Sequence, residues 1–350
     1  MEGLYKTMHG LRVNGVRYLI LAVPVFLAAQ AFGVSCTTES QMTAAQRSVL
    51  AGAARSLGAE VQAGNADAVR TQTIAPVAAQ FGGIANTIET VSASIRTATL
   101  TVDGLYLLHA TDLTGPQDAQ FFCGIAASPL TVEITIPNLP PGEYALALLH
   151  ATGVANPQRL SMVLSQSGPG SGWKLAGFFV RPMMMAGHDG VWYWRQARDY
   201  AAKREMWDAY FYYETAQYLL NPVDFLSSPN LEKLQRETEK ARPGGLPGAD
   251  PLQLTSGTVH FSVTGLHTGE LGGQLDLVVT YEATPGMDPV QSRTQVLEVM
   301  HALLAQYPEL PAAFHGLWVY AATPGNRAPF ALELPIQQIE ATPSPTGRSS

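Results

Sequence analysis

Three side chains in this 350-residue chain have the types and the neighbourhood for acid–base chemistry: His109, Asp112 and His150. Each histidine ends a predicted strand, and Asp112 follows His109 closely. An imidazole near a carboxylate can take and return protons near neutral pH. These residues are therefore the candidate catalytic residues, and a histidine that is simply satisfied at a strand end is the competing interpretation.

Metal and cofactor chemistry finds no support in residue spacing. The eight histidines form no H-E-x-x-H motif, and the two cysteines form no Cys-rich knuckle. The adjacent residues Met183, Met184 and Met185 cannot all point at one copper ion, so apolar packing is the preferred interpretation. The glycine-rich segment 168–172 precedes a predicted strand rather than a helix, which indicates a turn and not a phosphate loop. The sequence therefore predicts no metal and no cofactor.

The first residues have the pattern of a secretory signal. Lys6, Arg12 and Arg17 precede an uncharged apolar run over residues 18–32, which is too short for a membrane span of about 20 residues. Ala29-Gln30-Ala31 offers a cleavage site. The pattern predicts a signal peptide over residues 1–31 and an exported mature chain, periplasmic or secreted.

The two cysteines leave two alternatives open. Gly33-Val34-Ser35-Cys36 resembles the lipobox of bacterial lipoproteins, which would make residues 1–35 the signal and anchor a lipidated Cys36 in the cell envelope. The other alternative is a Cys36–Cys123 disulfide, because an even cysteine count in an oxidising compartment favours pairing. Only the lipidated form would contact a membrane.

Composition narrows the class of partner. Apolar residues make up 46% of the chain and charged residues only 14%, which indicates a folded protein rather than a disordered one. The formal net charge is −7, and no basic patch is present. Nucleic-acid binding needs clustered Lys and Arg, so we expect no nucleic-acid partner but an unknown protein or small ligand.

Periodicity predicts an α+β protein of several parts. A helix over residues 40–66 precedes five strand-like runs rich in branched and aromatic residues, at 99–110, 131–136, 144–151, 160–166 and 173–180. Two amphipathic helices follow, the first with Asp189 as its predicted N-cap. A third helix, with Ser228 as its predicted N-cap and Pro229 at its first position, precedes a breaker-rich linker. A last region has the order strand, strand, helix, strand, strand and predicts a small antiparallel sheet with one helix. The predicted boundaries are an α+β domain at 40–182, a helical connector at 187–241, a linker at 242–251, a C-terminal domain at 252–340 and a disordered tail at 341–350.

Two local resemblances accompany this organisation. Helices followed by a curved antiparallel sheet, with the closing segment Trp173-Lys174-Leu175-Ala176-Gly177-Phe178, resemble the NTF2-like cone fold. That resemblance implies a pocket between sheet and helices, in a fold that serves both enzymes and binding modules. The connector resembles one tetratricopeptide unit through Tyr193, Ala197, Tyr200, Ala209, Tyr213, Ala216 and Pro222. Such repeats need about three copies for stability, so we expect this hairpin to bury its aromatic residues against a neighbouring domain.

The whole mature chain resembles exported bacterial proteins whose role is uncharacterised. The resemblance rests on six short segments: Cys36-Thr37-Thr38, Phe121-Phe122-Cys123, Leu175-Ala176-Gly177-Phe178, Ala186-Gly187-His188-Asp189-Gly190, Leu231-Glu232-Lys233-Leu234 and Phe314-His315-Gly316. It implies an exported setting but no activity. The leading hypothesis is therefore a non-enzymatic binding or assembly module, and the alternative is an enzyme that uses the NTF2-like pocket.

Overall fold

The N-terminal half of the fold begins with a long helix that the sequence caps at both ends. In the computed structural model, which describes residues 33–124, 130–168, 170–323 and 330–343, helix α1 spans Ala44–Ala63. The side chain of Thr43 accepts a hydrogen bond from the backbone N–H of Gln46, and the Gln46 side chain accepts one from the backbone N–H of Thr43. Gly64 ends the helix in the left-handed conformation. The predicted helix is confirmed, and the predicted signal sequence 1–31 lies outside the described residues.

Three shorter helices and a set of strands complete this half. The helices are α2 (Ala66–Thr71), α3 (Ala75–Ala78) and α4 (Gly82–Ile95). The strands are β1 (Ser35–Thr38), β2 (Thr99–His109), β3 (Gln117–Gly124), β4 (Thr131–Leu139), β5 (Glu143–Thr152), β6 (Gln158–Gln166), β7 (Trp173–Pro182), β8 (Met184–Met185) and β9 (His188–Asp189). All five predicted strands are present, whereas β1, β3 and the two-residue strands β8 and β9 were not predicted.

The main sheet of this half is antiparallel, has the order β1-β2-β5-β6-β7 and is covered on both faces. Along β5, Ala145, Ala147 and Leu149 pack in one core with α1 and α4. The alternate residues Leu146 and Leu148 pack in a second core with β3 and β4. Burial on both faces explains why this strand is almost continuously apolar.

A disulfide joins Cys36 of β1 to Cys123 of β3, across a sequence separation of 87 residues. It therefore links the edge of the main sheet to a smaller sheet formed by β3, β4 and a short strand later in the chain. The predicted pairing is confirmed. Lipidation would modify the same Cys36 sulfur, so the two alternatives exclude each other.

Replacing both cysteines by alanine is expected to lower the free energy of unfolding by about 2–4 kcal/mol, because the cross-link restricts a long loop in the unfolded chain. Urea unfolding of the mature chain, with and without the double substitution, measures this difference. The single Cys36→Ala variant is a useful companion, since it should lose the same cross-link. An unchanged unfolding midpoint in the double variant would show that the pairing does not contribute.

The helical connector contains three helices, of which the first and the last have a capping side chain at their start. These are α5 (Gly190–Lys203), α6 (Met206–Leu220) and α7 (Pro229–Ala241), with strand β10 (Leu226–Ser227) between the last two. Asp189 and Ser228 cap α5 and α7, as their sequence positions predict. A Cβ atom at Gly190 would lie 2.6 Å from Leu220 Cγ, so a glycine is needed where α5 meets the end of α6.

The C-terminal sheet differs from the predicted antiparallel sheet. Its elements are β11 (Leu252–Ser256), β12 (Val259–Leu271), β13 (Gln274–Glu282), α8 (Pro289–Gln306), a 3-10 turn (Leu310–Ala312), β14 (Gly316–Ala322), β15 (Phe330–Pro335) and α9 (Ile336–Ala341). The order is β11-β12-β13-β14-β15, and β13 pairs with β14 in parallel. The prediction was wrong because α8 is a crossover that returns the chain to the same end of the sheet. The prediction of a single helix in this domain was also wrong, because a second helix, α9, follows β15. This helix ends at the residue where the disordered tail was predicted to begin.

The connector and the C-terminal sheet share one hydrophobic core. Tyr193, Trp207 and Tyr213 are buried in it together with Val299 and Leu317. This confirms that the hairpin buries its aromatic residues against a neighbour. The segment predicted as a linker, 242–251, therefore does not separate two cores.

Candidate functional site

A pocket of about 740 Å³ opens between α1 and one end of the main sheet. Val49 and Leu50 of α1, Leu107 of β2 and Trp173 of β7 provide apolar walls. Polar groups complete the rim. Gln46 comes from α1, and the ends of β2, β5 and β6 and the turn before β7 contribute His109, Thr111, Glu143, Gln166, Ser167 and Ser171. The pocket thus combines a largely apolar lining with hydrogen-bonding groups at its rim.

His109 is held in this rim by two neighbouring strands. Its Nδ1 lies 2.8 Å from Glu143 Oε2, and its Nε2 lies 3.1 Å from Thr37 Oγ1. The sheet register sets these contacts, since His109 pairs with Glu143 of β5 on one side and with Ser35 of β1 on the other. Thr37 and Glu143 were not predicted, because sequence spacing carries no sign of a register between distant strands.

The three side chains form a hydroxyl–imidazole–carboxylate chain. When His109 Nδ1–H donates to Glu143, Nε2 is left as an acceptor for the Thr37 hydroxyl proton. This is the order of groups that activates a hydroxyl nucleophile. The His109 and Glu143 side chains are 32% and 30% exposed, so solvent reaches both. The arrangement can transfer protons, and it can equally anchor a polar group of a ligand.

The other two predicted residues do not join His109. Asp112 lies beside Gly33 and is not part of the pocket wall. His150 belongs to the even-numbered residues of β5, which face away from α1. Its Nε2 lies 3.3 Å from Arg159 Nε and 3.5 Å from Asp103 Oδ2. The structure therefore brings only one of the three candidates into the pocket.

The surroundings of His150 indicate a structural role. Burial lowers the pKa of this imidazole, while the nearby Asp103 carboxylate opposes that shift. The neighbouring Arg159 guanidinium donates hydrogen bonds to the carbonyls of Leu219 and Leu220 at the end of α6. These contacts tie the main sheet to the connector rather than presenting a reactive group.

A second pocket, of about 410 Å³, lies between α6, β12 and the segment after α7. Tyr210, Glu214, Arg242 and His267 contribute its polar groups. Burial raises the pKa of Glu214, and the neighbouring Glu239 raises it further. A peptide would be anchored by the aromatic residues of the hairpin, but most of these lie in the core. This second pocket is smaller than the pocket beside α1, and polar groups make up more of its lining.

One group of potential metal ligands converges among the described residues, although residue spacing predicted none. A carboxylate oxygen of Asp276, a carboxylate oxygen of Glu333 and a ring nitrogen of His315 lie within 4.8 Å of one another. Asp276 lies in β13, Glu333 lies in β15, and His315 immediately precedes β14. The topology of the C-terminal sheet brings them together, and for that reason no local motif marks them.

Comparisons with protein-family models, with curated protein sequences and with solved structures give no match. Within the described part of the chain, no helix has both the length and the apolar character needed to cross a membrane.

Proposed function

We propose that the mature chain is an exported, non-enzymatic binding module that takes an amphipathic small molecule in the pocket beside α1. The observation that carries this proposal is the pocket itself, because about 740 Å³ lies within the range of roughly 300–1,000 Å³ typical of ligand sites. Its division into an apolar wall and a polar rim favours a ligand with an apolar body and a polar end.

The chemistry of the rim favours a ligand end that donates hydrogen bonds. Glu143 is acceptor-only when ionised, and Gln46 and Gln166 add amide groups. The chain carries a net charge of −7, which disfavours anionic ligands at long range. A neutral or cationic amphiphile fits both conditions.

The exported location belongs to the same proposal. The Cys36–Cys123 disulfide is typical of proteins that fold in an oxidising compartment, which supports an exported chain. The NTF2-like assignment of residues 40–182 and the tetratricopeptide-like assignment of the hairpin stay predictions. Either would accord with a binding role without choosing the ligand.

Titration with the neutral fluorescent probe N-phenyl-1-naphthylamine should reveal a saturable site, read from probe emission or from energy transfer from Trp173. Val49→Trp fills the mouth of the pocket, because Val49 is 59% exposed and lies on its wall. We expect this variant to bind about tenfold more weakly, equivalent to ~1.4 kcal/mol. Val259→Trp is the matched control, since Val259 is an exposed valine of β12 outside this pocket. Equal affinities of both variants and the wild type would refute the proposal.

The enzyme alternative rests on the Thr37–His109–Glu143 chain and is tested with the same protein. In that alternative the Thr37 oxygen attacks an ester carbonyl, His109 passes the proton to the departing alcohol, and water then releases the acid. If the wild type hydrolyses p-nitrophenyl acetate and both Thr37→Val and His109→Gln lose this activity, the protein is an enzyme and not a binding module. Probe binding without such turnover supports the module.

A further inference from the structure

Asp276 is a buried carboxylate whose nearest donors, the His315 ring and the Gly316 backbone N–H, are poorly placed for hydrogen bonding. Its side chain is 1% exposed, and neither of its oxygens has a hydrogen-bond partner among the described residues. A buried carboxylate without a well-placed partner is energetically costly. Such a carboxylate is stabilised by a cationic neighbour, and the His315 ring supplies one only when it is protonated.

The oxygen atoms around Gly316 define a small space. A Cβ atom at this residue would lie 2.9 Å from Asp276 Oδ1, 3.0 Å from Glu333 Oε1 and 2.9 Å from the carbonyl oxygen of Leu334. Gly316 pairs directly with Asp276 in the parallel register, so its missing side chain leaves the room between the two carboxylates open. Any larger residue would close this space.

His315 stands at the mouth of the same space. Its Nδ1 lies 3.4 Å from Asp276 Oδ1, and its side chain is 44% exposed. Glu333 is half-buried on the neighbouring strand. The two outer side chains can therefore turn toward an ion that enters from solvent, while Asp276 stays fixed in the sheet.

We propose that Asp276, His315 and Glu333 bind a divalent transition-metal ion, with Zn²⁺ as the best match. One imidazole and two carboxylates are borderline ligands, which suit Zn²⁺ better than the all-oxygen sites of Mg²⁺ or Ca²⁺. Zn²⁺ holds such ligands at about 2.0–2.2 Å. Ligand atoms that already lie within 4.8 Å of one another reach those distances through small rotations of the two outer side chains. The ion would clamp β13, β14 and β15 together.

The test uses the mature chain, stripped with a chelator and titrated with ZnCl₂ by isothermal titration calorimetry. We expect one site per chain and a melting temperature that rises by several degrees with Zn²⁺, because an ion that binds only the folded state stabilises it. His315→Gln and Glu333→Gln alter partly exposed side chains and should fold. Each is expected to weaken Zn²⁺ binding at least tenfold and to abolish the thermal shift.

Two control variants separate this site from adventitious surface binding. His260→Gln removes an exposed histidine of β12, and Glu282→Gln removes an exposed carboxylate of β13. Both should bind Zn²⁺ like the wild type. The proposal is overturned if the wild type binds no Zn²⁺ stoichiometrically, or if His315→Gln and Glu333→Gln bind it as tightly as the two controls.

Discussion

Replacing Tyr213 by alanine is expected to lower the free energy of unfolding by roughly 3–5 kcal/mol, the range for emptying a large aromatic site in a core. Tyr213 is 3% exposed and lies in the core that α6 shares with the C-terminal sheet. Burial and the nearby Glu237 carboxylate raise the pKa of its hydroxyl to about 12, so the group stays neutral across the physiological range. A chemical-denaturation curve of the variant measures the loss.

Two matched variants show which part of Tyr213 matters. Tyr213→Phe keeps the ring and should lose only about 1 kcal/mol. Tyr218→Ala removes a tyrosine from the same helix at a position that is 40% exposed, where the ring contacts Arg181. We expect a loss of about 1 kcal/mol or less there. If Tyr213→Ala matched Tyr218→Ala, the hairpin would present its rings to a partner rather than pack them.

Asp208 is expected to make the protein less stable as pH rises from about 4 to about 8. This residue in the first turn of α6 is completely buried, and neither of its oxygens has a hydrogen-bond partner among the described residues. Burial, with Glu309 and Glu205 nearby, raises its pKa from 3.8 to about 8, although Lys203 opposes the shift. Between these two values the folded state holds a proton that the unfolded state has released, so the free energy of unfolding falls with pH.

The Asp208→Asn variant isolates this effect. Asparagine keeps the shape and cannot ionise, so its stability relative to the wild type should rise by on the order of 5 kcal/mol between pH 4 and pH 9. Denaturant unfolding at several pH values gives the two curves. Asp199→Asn, which changes an exposed carboxylate of α5, should run parallel to the wild type. Parallel curves for Asp208→Asn as well would show that the Asp208 carboxyl is not destabilised by burial.

Local signals predicted the elements that depend on neighbouring residues. The capped starts of α5 and α7 lie at Asp189 and Ser228, because a side chain that accepts an N–H bond acts within one helical turn. Continuous apolar runs marked β5 and β6. Strand β3 was missed although Ala119, Phe121 and Cys123 alternate with more exposed residues, because its polar alternate positions carry little strand signal. Strand β1 has only four residues and forms by pairing with β2.

The candidate sites were less accessible to prediction than the elements. The pocket residue His109 was identified, but Thr37 and Glu143 reach it through strand register. Asp276, His315 and Glu333 meet through a parallel pairing that an antiparallel prediction could not contain. Pairing between distant strands is decided by packing and twist, which no short window of residues reports.

The sequence by itself determined the α+β class and the burial of the aromatic hairpin, whereas it left the Cys36–Cys123 disulfide and lipidation of Cys36 as alternatives. The class follows from the periodic patterns of apolar residues. The burial follows because so much aromatic surface must be removed from water. Only the tertiary structure decided which polar side chains converge. The register of β1, β2 and β5 built the rim around His109, and the crossover through α8 aligned β13 with β14 and placed two acidic side chains around Gly316. Convergence of this kind depends on the whole chain, because the groups that meet are far apart along it.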